Sequence, residues 1–301
     1  MNGFLLVDKP TGISSFGAVQ QLNKRFSIQR NAKKIGHGGT LDPNASGLLV
    51  IAVGRATRLL RFFLGSDKRY TAQIQFGSRT TTDDSEGEVI SEAPYEHITE
   101  EAILQGLKDF CGTVSQIPPS YSALHVDGKR AYELARKGHE VQMLPRQVRI
   151  DRIDMTQCNL PTIELDIACS GGTYIRSIAR DLGIKLHSEA HLSGLRRTEA
   201  CHFSVRQAHT LAFLIQQEKI EPYLLPMDQG MHYFNRIDAK RAEVHKLLNG
   251  LPTNFNVDKD GIYALWYEAQ LVAMCERKEG KNDFLRLMSA QEFDEQFGRK
   301  S

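Results

Sequence analysis

Twelve residues, Gly36-His37-Gly38-Gly39-Thr40-Leu41-Asp42-Pro43-Asn44-Ala45-Ser46-Gly47, constrain the chain more than any other stretch. They hold four glycines, one proline and a single carboxylate. An unbroken apolar run follows, Leu48-Leu49-Val50-Ile51-Ala52-Val53, and stops at Gly54. Glycine at this density permits positive φ and close backbone approach, and an Asp-Pro pair fixes a turn. The short apolar run reads as a buried strand. Asp42 therefore occupies a constrained loop that leads into the core. Polar loops on a rigid scaffold are where chemistry gathers, although a plain glycine-rich turn with a capping Asp fits the same pattern.

The elements around this loop follow from periodicity and caps. Phe4-Leu5-Leu6-Val7 reads as a first strand, not as a signal peptide, because no basic region precedes it. Lys9-Pro10-Thr11-Gly12 is a turn, and Ser14 or Ser15 caps a helix with Phe16, Val19, Leu22 and Phe26 on one stripe. A short helix is expected over 59–64 and a half-buried strand over 68–76. Thr99 caps a helix whose apolar face is Ile103, Leu104, Leu107 and Phe110, with Ile98 and Ile103 spaced for a hydrophobic staple and Gly112 as its end. Residues 117–148 read as an insertion or arm, with a short basic helix over 129–137. Strands are expected at 148–153 and 162–169. A helix capped by Thr173 then places Arg176 and Arg180 on one face. Another helix is expected around 210–219. Beyond residue 228 the pattern resets to a helix capped by Asp238 and strands near 261–267, 270–277 and 284–288, which reads as a small, mostly β unit.

Composition narrows the function classes. Hydrophobic residues make up 41% and charged residues 25% of the 301, as in globular proteins. The longest apolar run is too short to span a bilayer. Five scattered cysteines contain no Cys-x-x-Cys pair, so neither a zinc site nor a disulfide framework is indicated, and a reducing cytoplasm is the expected location. The net charge of +2 conceals a segregation: residues 1–80 carry twelve Lys/Arg against three acids, whereas residues 81–110 carry nine acids and one base. A local polyanion-binding surface is one reading of that split and a solvated face is the other.

Asp42 is the leading reactive carboxylate. Such a group needs an orienting, charge-assisted partner, and Arg176, after a second glycine-rich turn, is the candidate. His37 is open between general base, metal ligand and phosphate contact, with no second ligand near it in sequence. Tyr70 and Tyr174 lie in basic or glycine-rich contexts where aromatics stack on unpaired bases, although core packing is the commoner fate of a strand tyrosine. There is no Gly-x-Ser-x-Gly elbow, Walker motif or Rossmann glycine pattern in the chain.

In order along the chain stand Lys9-Pro10-Thr11-Gly12-Ile13-Ser14-Ser15, Gly36-His37-Gly38-Gly39-Thr40-Leu41-Asp42-Pro43, Gly54-Arg55-Ala56-Thr57-Arg58, Lys68-Arg69-Tyr70, Cys169-Ser170-Gly171-Gly172-Thr173-Tyr174-Ile175-Arg176 and Leu195-Arg196-Arg197. This succession resembles the bacterial tRNA pseudouridine-55 synthase family (TruB type) over residues 3–228. Beyond 228 the likeness is to that family's small PUA-like C-terminal domain, by position and pattern. Gly38 and Val50 depart from it, standing where the family more often has Ser or Thr and Pro.

The resemblance implies an α+β pseudouridine synthase fold, a mixed, largely antiparallel sheet with flanking helices. It implies a catalytic domain over 1–228, with 117–148 as a thumb-like RNA-binding insertion, and a PUA-like domain over 229–301. It implies isomerisation of uridine 55 in the tRNA T-loop, with a flipped-out base. No metal, organic cofactor, membrane, guide RNA or obligate protein partner is expected. By the same resemblance Asp42 is catalytic, Tyr70 stacks on the base, Arg176 pairs with Asp42, Tyr174 and Leu195 line the pocket, and His37 holds the flipped nucleotide. Lys129, Arg130, Arg136 and Lys137 of the insertion would contact RNA phosphates, with basic residues 24–34 and 55–61 on the same RNA face. Three other readings remain: a guide-RNA-dependent dyskerin-type synthase, which the 117–148 insertion disfavours; an RNA-folding protein; and a hydrolase using His37 and Asp42.

Overall fold

The structure is a computed structural model that describes residues 1–29, 34–122, 124–126, 129–131, 142–253, 255, 257 and 259–298. Its first half runs β1 (Gly3–Lys9), α1 (Ser15–Phe26), β2 (Ile35–His37), β3 (Ala45–Val53), α2 (Leu60–Leu64), β4 (Lys68–Phe76), β5 (Ser78–Thr80), β6 (Val89–Glu92), α3 (Glu100–Lys108) and β7 (Gly112–Gln116). A two-stranded ribbon follows, β8 (His125–Val126) with β9 (Lys129–Arg130). Then come β10 (Arg146–Asn159), β11 (Thr162–Cys169), α4 (Ile175–Lys185), β12 (Ala190–Ala200), β13 (Phe203–Ser204), β14 (His209–Thr210) and α5 (Leu211–Gln216). The C-terminal part adds β15 (Asn235–Asp238), α6 (Arg241–Leu248), β16 (Gly261–Tyr267), β17 (Gln270–Lys278), β18 (Lys281–Arg286) and α7 (Ala290–Phe297).

One large sheet organises the molecule, in the order β14-β1-β3-β12-β4-β11-β10-β7, with β2 also on β3 and β13 also on β12. Only the β1–β14 and β3–β12 pairs are parallel, so the sheet is mixed and largely antiparallel, as expected. The apolar runs of β1 and β3 are continuous because both faces of those strands are covered. Leu5, Val7, Leu49 and Ile51 join a core with α1, α3 and α4. Phe4, Leu6, Leu48 and Val50 point the other way, into a core shared with Phe63 of α2 and with Trp266 and Met274 of the second sheet, β15-β16-β17-β18. A third cluster, including Val244, Leu265, Val272 and Phe293, lies within the C-terminal part. Among the described residues no helix is long and apolar enough to cross a membrane.

Several local expectations are corrected by tertiary demands. On α1 the expected Val19 and Leu22 are buried and Phe26 packs against the core, but Ser15 and Ala18 complete the buried face and Phe16 stands 62% exposed. Ser15 faces inward, its hydroxyl held by the backbone of Leu41. Thr173 does not cap α4; Gln116 of β7 does so from across the fold, its Oε1 accepting from the Tyr174 N–H at 2.8 Å. Asp238 ends β15 and pairs with Arg236, while α6 begins at Arg241 with the Lys240 N–H bonded to Glu243. Gly112 opens β7 and does not end α3, which is capped at Asp109. Residues 146–148 belong to β10 and pair with β7, so the insertion leaves and rejoins the sheet at the Gln116–Arg146 register pair. Lys129 and Arg130 lie on a strand, not a helix, and the rest of that expected helix falls outside the described residues. Serine-capped α7 went unforeseen.

Asp166 of β11 bridges its two neighbouring strands. Arg69 of β4 donates to it through Nε at 2.8 Å, and Arg152 of β10 through Nη2 at 3.2 Å. The Arg69 hydrogen bonds hold the Asp166 carboxyl below its ordinary range. A carboxylate depressed in the folded state stabilises fully above its unfolded pKa of about 3.9 and loses that contribution as pH falls through the lower folded value. Asp166→Asn is expected to lose about 1 kcal/mol at pH 7. Its stability in urea should also fall less steeply than wild type below about pH 4; parallel acid limbs would show that Asp166 carries no such linkage.

Candidate active site

The loop between β2 and β3 is held on every side. Gly38 N–H donates to Val50 O at 2.8 Å, and Gly12 N–H to Pro43 O at 2.9 Å. Ser15 Oγ accepts from Leu41 N–H at 2.7 Å and donates to Leu41 O at 2.9 Å. Lys9, fully buried, sends its ammonium to the carbonyls of Pro10, Ile13 and Pro43 at 2.8, 2.7 and 3.2 Å. Burial draws the Lys9 pKa down to about 8, and the nearby Asp42 carboxylate opposes the drop. Arg197 of β12, only 1% exposed, donates to Leu48 O at 2.8 Å, Thr40 O at 3.2 Å and Gly39 O at 3.1 Å. Gly47 has φ +99°, and a Cβ there would sit 2.3 Å from Arg197 O, so glycine is required where β3 meets β12. With its backbone so tied, the loop presents the Asp42 side chain, 41% exposed, to a cleft.

Arg176, in the first turn of α4, answers it from the other side. Its Nη2 lies 3.0 Å from Asp42 Oδ2 and also donates to Tyr121 O at 3.1 Å. Its Nη1 reaches Thr82 O at 3.1 Å and Asp84 Oδ2 at 3.4 Å. The guanidinium is thus buried between two carboxylates and two carbonyls, which fixes its plane and aims one of its N–H groups at Asp42. One turn on, Arg180 Nη1 binds Asp83 Oδ2 at 2.8 Å. Burial raises the Asp83 carboxyl, and Arg180 counteracts this. The acidic turn between β5 and β6 is therefore seated on the helix that carries Arg176. Asp84 was not expected at the site; the signal in the sequence is the match of an adjacent acid pair, 83–84, to an arginine pair four residues apart.

These groups open on a cavity of about 1360 Å³. It brings together all of His37, Asp42, Tyr70, Tyr174, Arg176 and Leu195. The register explains how: on β12, Leu195 lies opposite Ala72 and Arg197 opposite Tyr70 of β4, while Arg197 also faces Gly47 of β3. The Tyr70 ring is 7% exposed and burial raises its hydroxyl, so it stands as an uncharged phenol at neutral pH. Burial raises the Tyr174 hydroxyl as well. Burial lowers the half-buried His37 below the usual imidazole range, with Arg197 adding to the effect. Its Nδ1 is buried and makes no geometrically sound hydrogen bond among the described residues, and its ring lines the cavity. Among the described residues no group of His, Cys, Asp or Glu side chains is arranged to hold a metal.

The expected phosphate contacts fare differently. The Lys129 and Arg130 side chains, and Arg136 and Lys137 altogether, fall outside what the structure describes. Arg55 and Arg61 pair with Glu292 at 2.5 Å and Asp283 at 3.5 Å of the C-terminal part and stay partly exposed. Arg25 is spent on the carbonyls of Ile215 and Gln217 at the end of α5.

Residues 25–175 match the N-terminal domain of the TruB family of pseudouridylate synthases, and residues 176–232 match the tRNA pseudouridylate synthase B C-terminal domain. A tRNA pseudouridine synthase B from Trichormus variabilis is 40% identical over 267 residues, covering 87% of this chain and 89% of its own. The chain belongs to the TruB family. It is accordingly an isomerase that makes pseudouridine. A second relative of that name, from Microcystis aeruginosa, is 48% identical over 218 residues, 71% of this chain and 73% of its own. Among solved structures, a Cbf5–Nop10–Gar1 complex superposes with a TM-score of 0.74 at 23% identity, over 96% of this chain and 86% of that one, a likeness of fold.

Within this TruB-family site Arg197 was quoted in the sequence only as part of a motif, yet it ties three carbonyls around Asp42. Arg197→Met is expected to destabilise the protein by about 3 kcal/mol, because it strands buried acceptors. Arg197→Lys should recover less than half of that, since an ammonium cannot span three carbonyls set in a fan. Urea unfolding checks both, and a Met variant as stable as wild type would show that the carbonyls find other donors.

Proposed function

We propose that this chain converts uridine 55 in the T-loop of tRNA to pseudouridine, with Asp42 as the catalytic residue acting on a base flipped into the cavity. The observation that carries the reading is the Asp42–Arg176 pair, 3.0 Å apart at the cleft, with an aromatic ring and an apolar side chain on the wall beside it. The isomerisation breaks the N1–C1′ glycosidic bond and forms a C5–C1′ bond; a proton leaves C5 and N1 gains one. Extruding a loop base costs a few kcal/mol, and stacking on an aromatic such as Tyr70 returns about 1–3 kcal/mol. Asp42 is oriented for one of three roles: addition to the base, attack at the ribose carbon, or assistance to elimination. His37 offers the flipped nucleotide a neutral donor or acceptor, and Tyr174 and Leu195 close the wall. We read residues 1–228 as the catalytic unit and 229–301 as a PUA-like domain. The enzyme acts without guide RNA or protein partner, and the relatives named tRNA pseudouridine synthase B support the tRNA substrate.

The insertion supplies the remaining grip on RNA, through Lys129, Arg130, Arg136 and Lys137 on phosphates. Because β7 and β10 pair at Gln116–Arg146, a short turn can replace what lies between without disturbing the sheet. Deleting 124–143, which spares Tyr121 and its bond to Arg176, should weaken tRNA binding at least tenfold while the thermal transition is retained; loss of the transition would make the segment part of the core. The reading as a whole is tested by incubating an unmodified tRNA transcript with wild type and with Asp42→Asn, then mapping pseudouridine by carbodiimide and primer extension. One site, at position 55, is expected with wild type and none with the variant. Modification elsewhere, or undiminished modification by Asp42→Asn, would refute it.

A further inference from the structure

The wall of the cavity is accounted for by the residues already described, but its rim is not. Two large apolar side chains line it while exposed to solvent, Phe16 at 62% and Leu64 at 57%. Phe16 lies in the first turn of α1, and that turn is not loose. Ser14 caps it, its Oγ accepting from the Gly17 N–H at 2.9 Å. The next residue, Ser15, is buried and bonded in both directions to the backbone of Leu41, the neighbour of Asp42. The backbone that carries the aromatic ring is therefore anchored beside the Asp42 loop, through the Ser15 hydroxyl and Leu41.

What would cover such a ring is constrained by the cavity's charge and size. Among the described lining residues four carboxylates, Asp42, Asp84, Glu86 and Glu88, face three cations, Lys68, Arg176 and Arg197. A lining with no surplus of positive charge does not attract a phosphate backbone. It accepts the uncharged faces of bases, which bind aromatic side chains irrespective of sequence. A volume of about 1360 Å³ also exceeds the roughly 300–1,000 Å³ of a pocket for one small ligand, so the isomerised nucleotide leaves room beside it.

We propose that Phe16 is a stacking platform for a nucleobase of the substrate RNA other than the one isomerised, with Leu64 extending its apolar surface. The inference rests on the reading that the substrate is a tRNA loop, and it adds a second recognition point on the opposite side of Asp42 from the insertion in the sequence. A platform of this kind selects RNA whose loop can unstack a flanking base, whatever that base is.

The test measures binding, so that it is separable from the assignment of the modified position. In an Asp42→Asn background, which holds RNA without turnover, Phe16→Ala should raise the Kd for an unmodified tRNA transcript about tenfold, Phe16→Tyr should bind within twofold of the parent, and Phe16→Leu should resemble Ala. With 2-aminopurine substituted in turn at the loop positions flanking the target, one position should show fluorescence quenching on binding that Phe16→Ala abolishes. Thermal denaturation should be unchanged in all three, since the ring is exposed. Unchanged affinity in Phe16→Ala overturns the proposal. So does Leu binding as well as Tyr, which would mean plain apolar burial, and so does a lowered thermal transition with unchanged Kd, which would mean the ring packs within the protein. A chain that modifies a site other than 55 while Phe16→Ala still weakens binding would refute the function assigned above and leave the platform standing.

Discussion

Buried cations hold the backbone of the Asp42 loop, and the rest of the site depends on that grip. Arg197 and Lys9 are withdrawn from water and carry charges that would be costly there without partners. Their partners are main-chain carbonyls, three for each side chain. A carbonyl dipole cannot titrate, so the arrangement orders the loop without adding a competing carboxylate. The loop in turn leaves its single acid facing the cleft.

The opposing half of the site is assembled from a different part of the chain and by a different device. Arg176 enters on α4, and α4 is started by Gln116 of β7, not by a local cap. The acidic turn after β5 is drawn onto the same helix by Arg180 and Arg176. One guanidinium thus faces Asp42, the acidic turn and the root of the insertion at Tyr121 together. The three are thus tied to one another through a single side chain.

Much of the framework was legible in the sequence because local pattern and tertiary role agree. Phe4–Val7, the Leu48–Val53 run and the alternation of 162–169 are strands for reasons contained in those residues. Ser14 and Thr99 cap the helices they precede. Where agreement fails, a distant partner has taken over. Phe16 looks like a core residue by spacing, but the inward position at the start of the helix is taken by Ser15, whose hydroxyl is claimed by Leu41. Thr173 has the chemistry of a cap and is displaced by a glutamine 57 residues earlier in the chain. Arg55 and Arg61 are paired with Glu292 and Asp283, acids more than two hundred residues further on, which no periodicity could foretell.

By itself, then, the sequence determined the strands, most helices, the glycine-constrained loop around Asp42 and, through its ordered motifs, the family. The tertiary structure alone decided which charges meet. It placed Arg197 beneath the loop through the parallel pairing of β3 with β12, brought Asp84 to Arg176, lowered the His37 imidazole by burying it, and turned Phe16 outward. The physical reason is that hydrogen bonds and ion pairs act over a few ångströms in space and are blind to separation along the chain. Periodicity records which face of an element is buried, not what it is buried against.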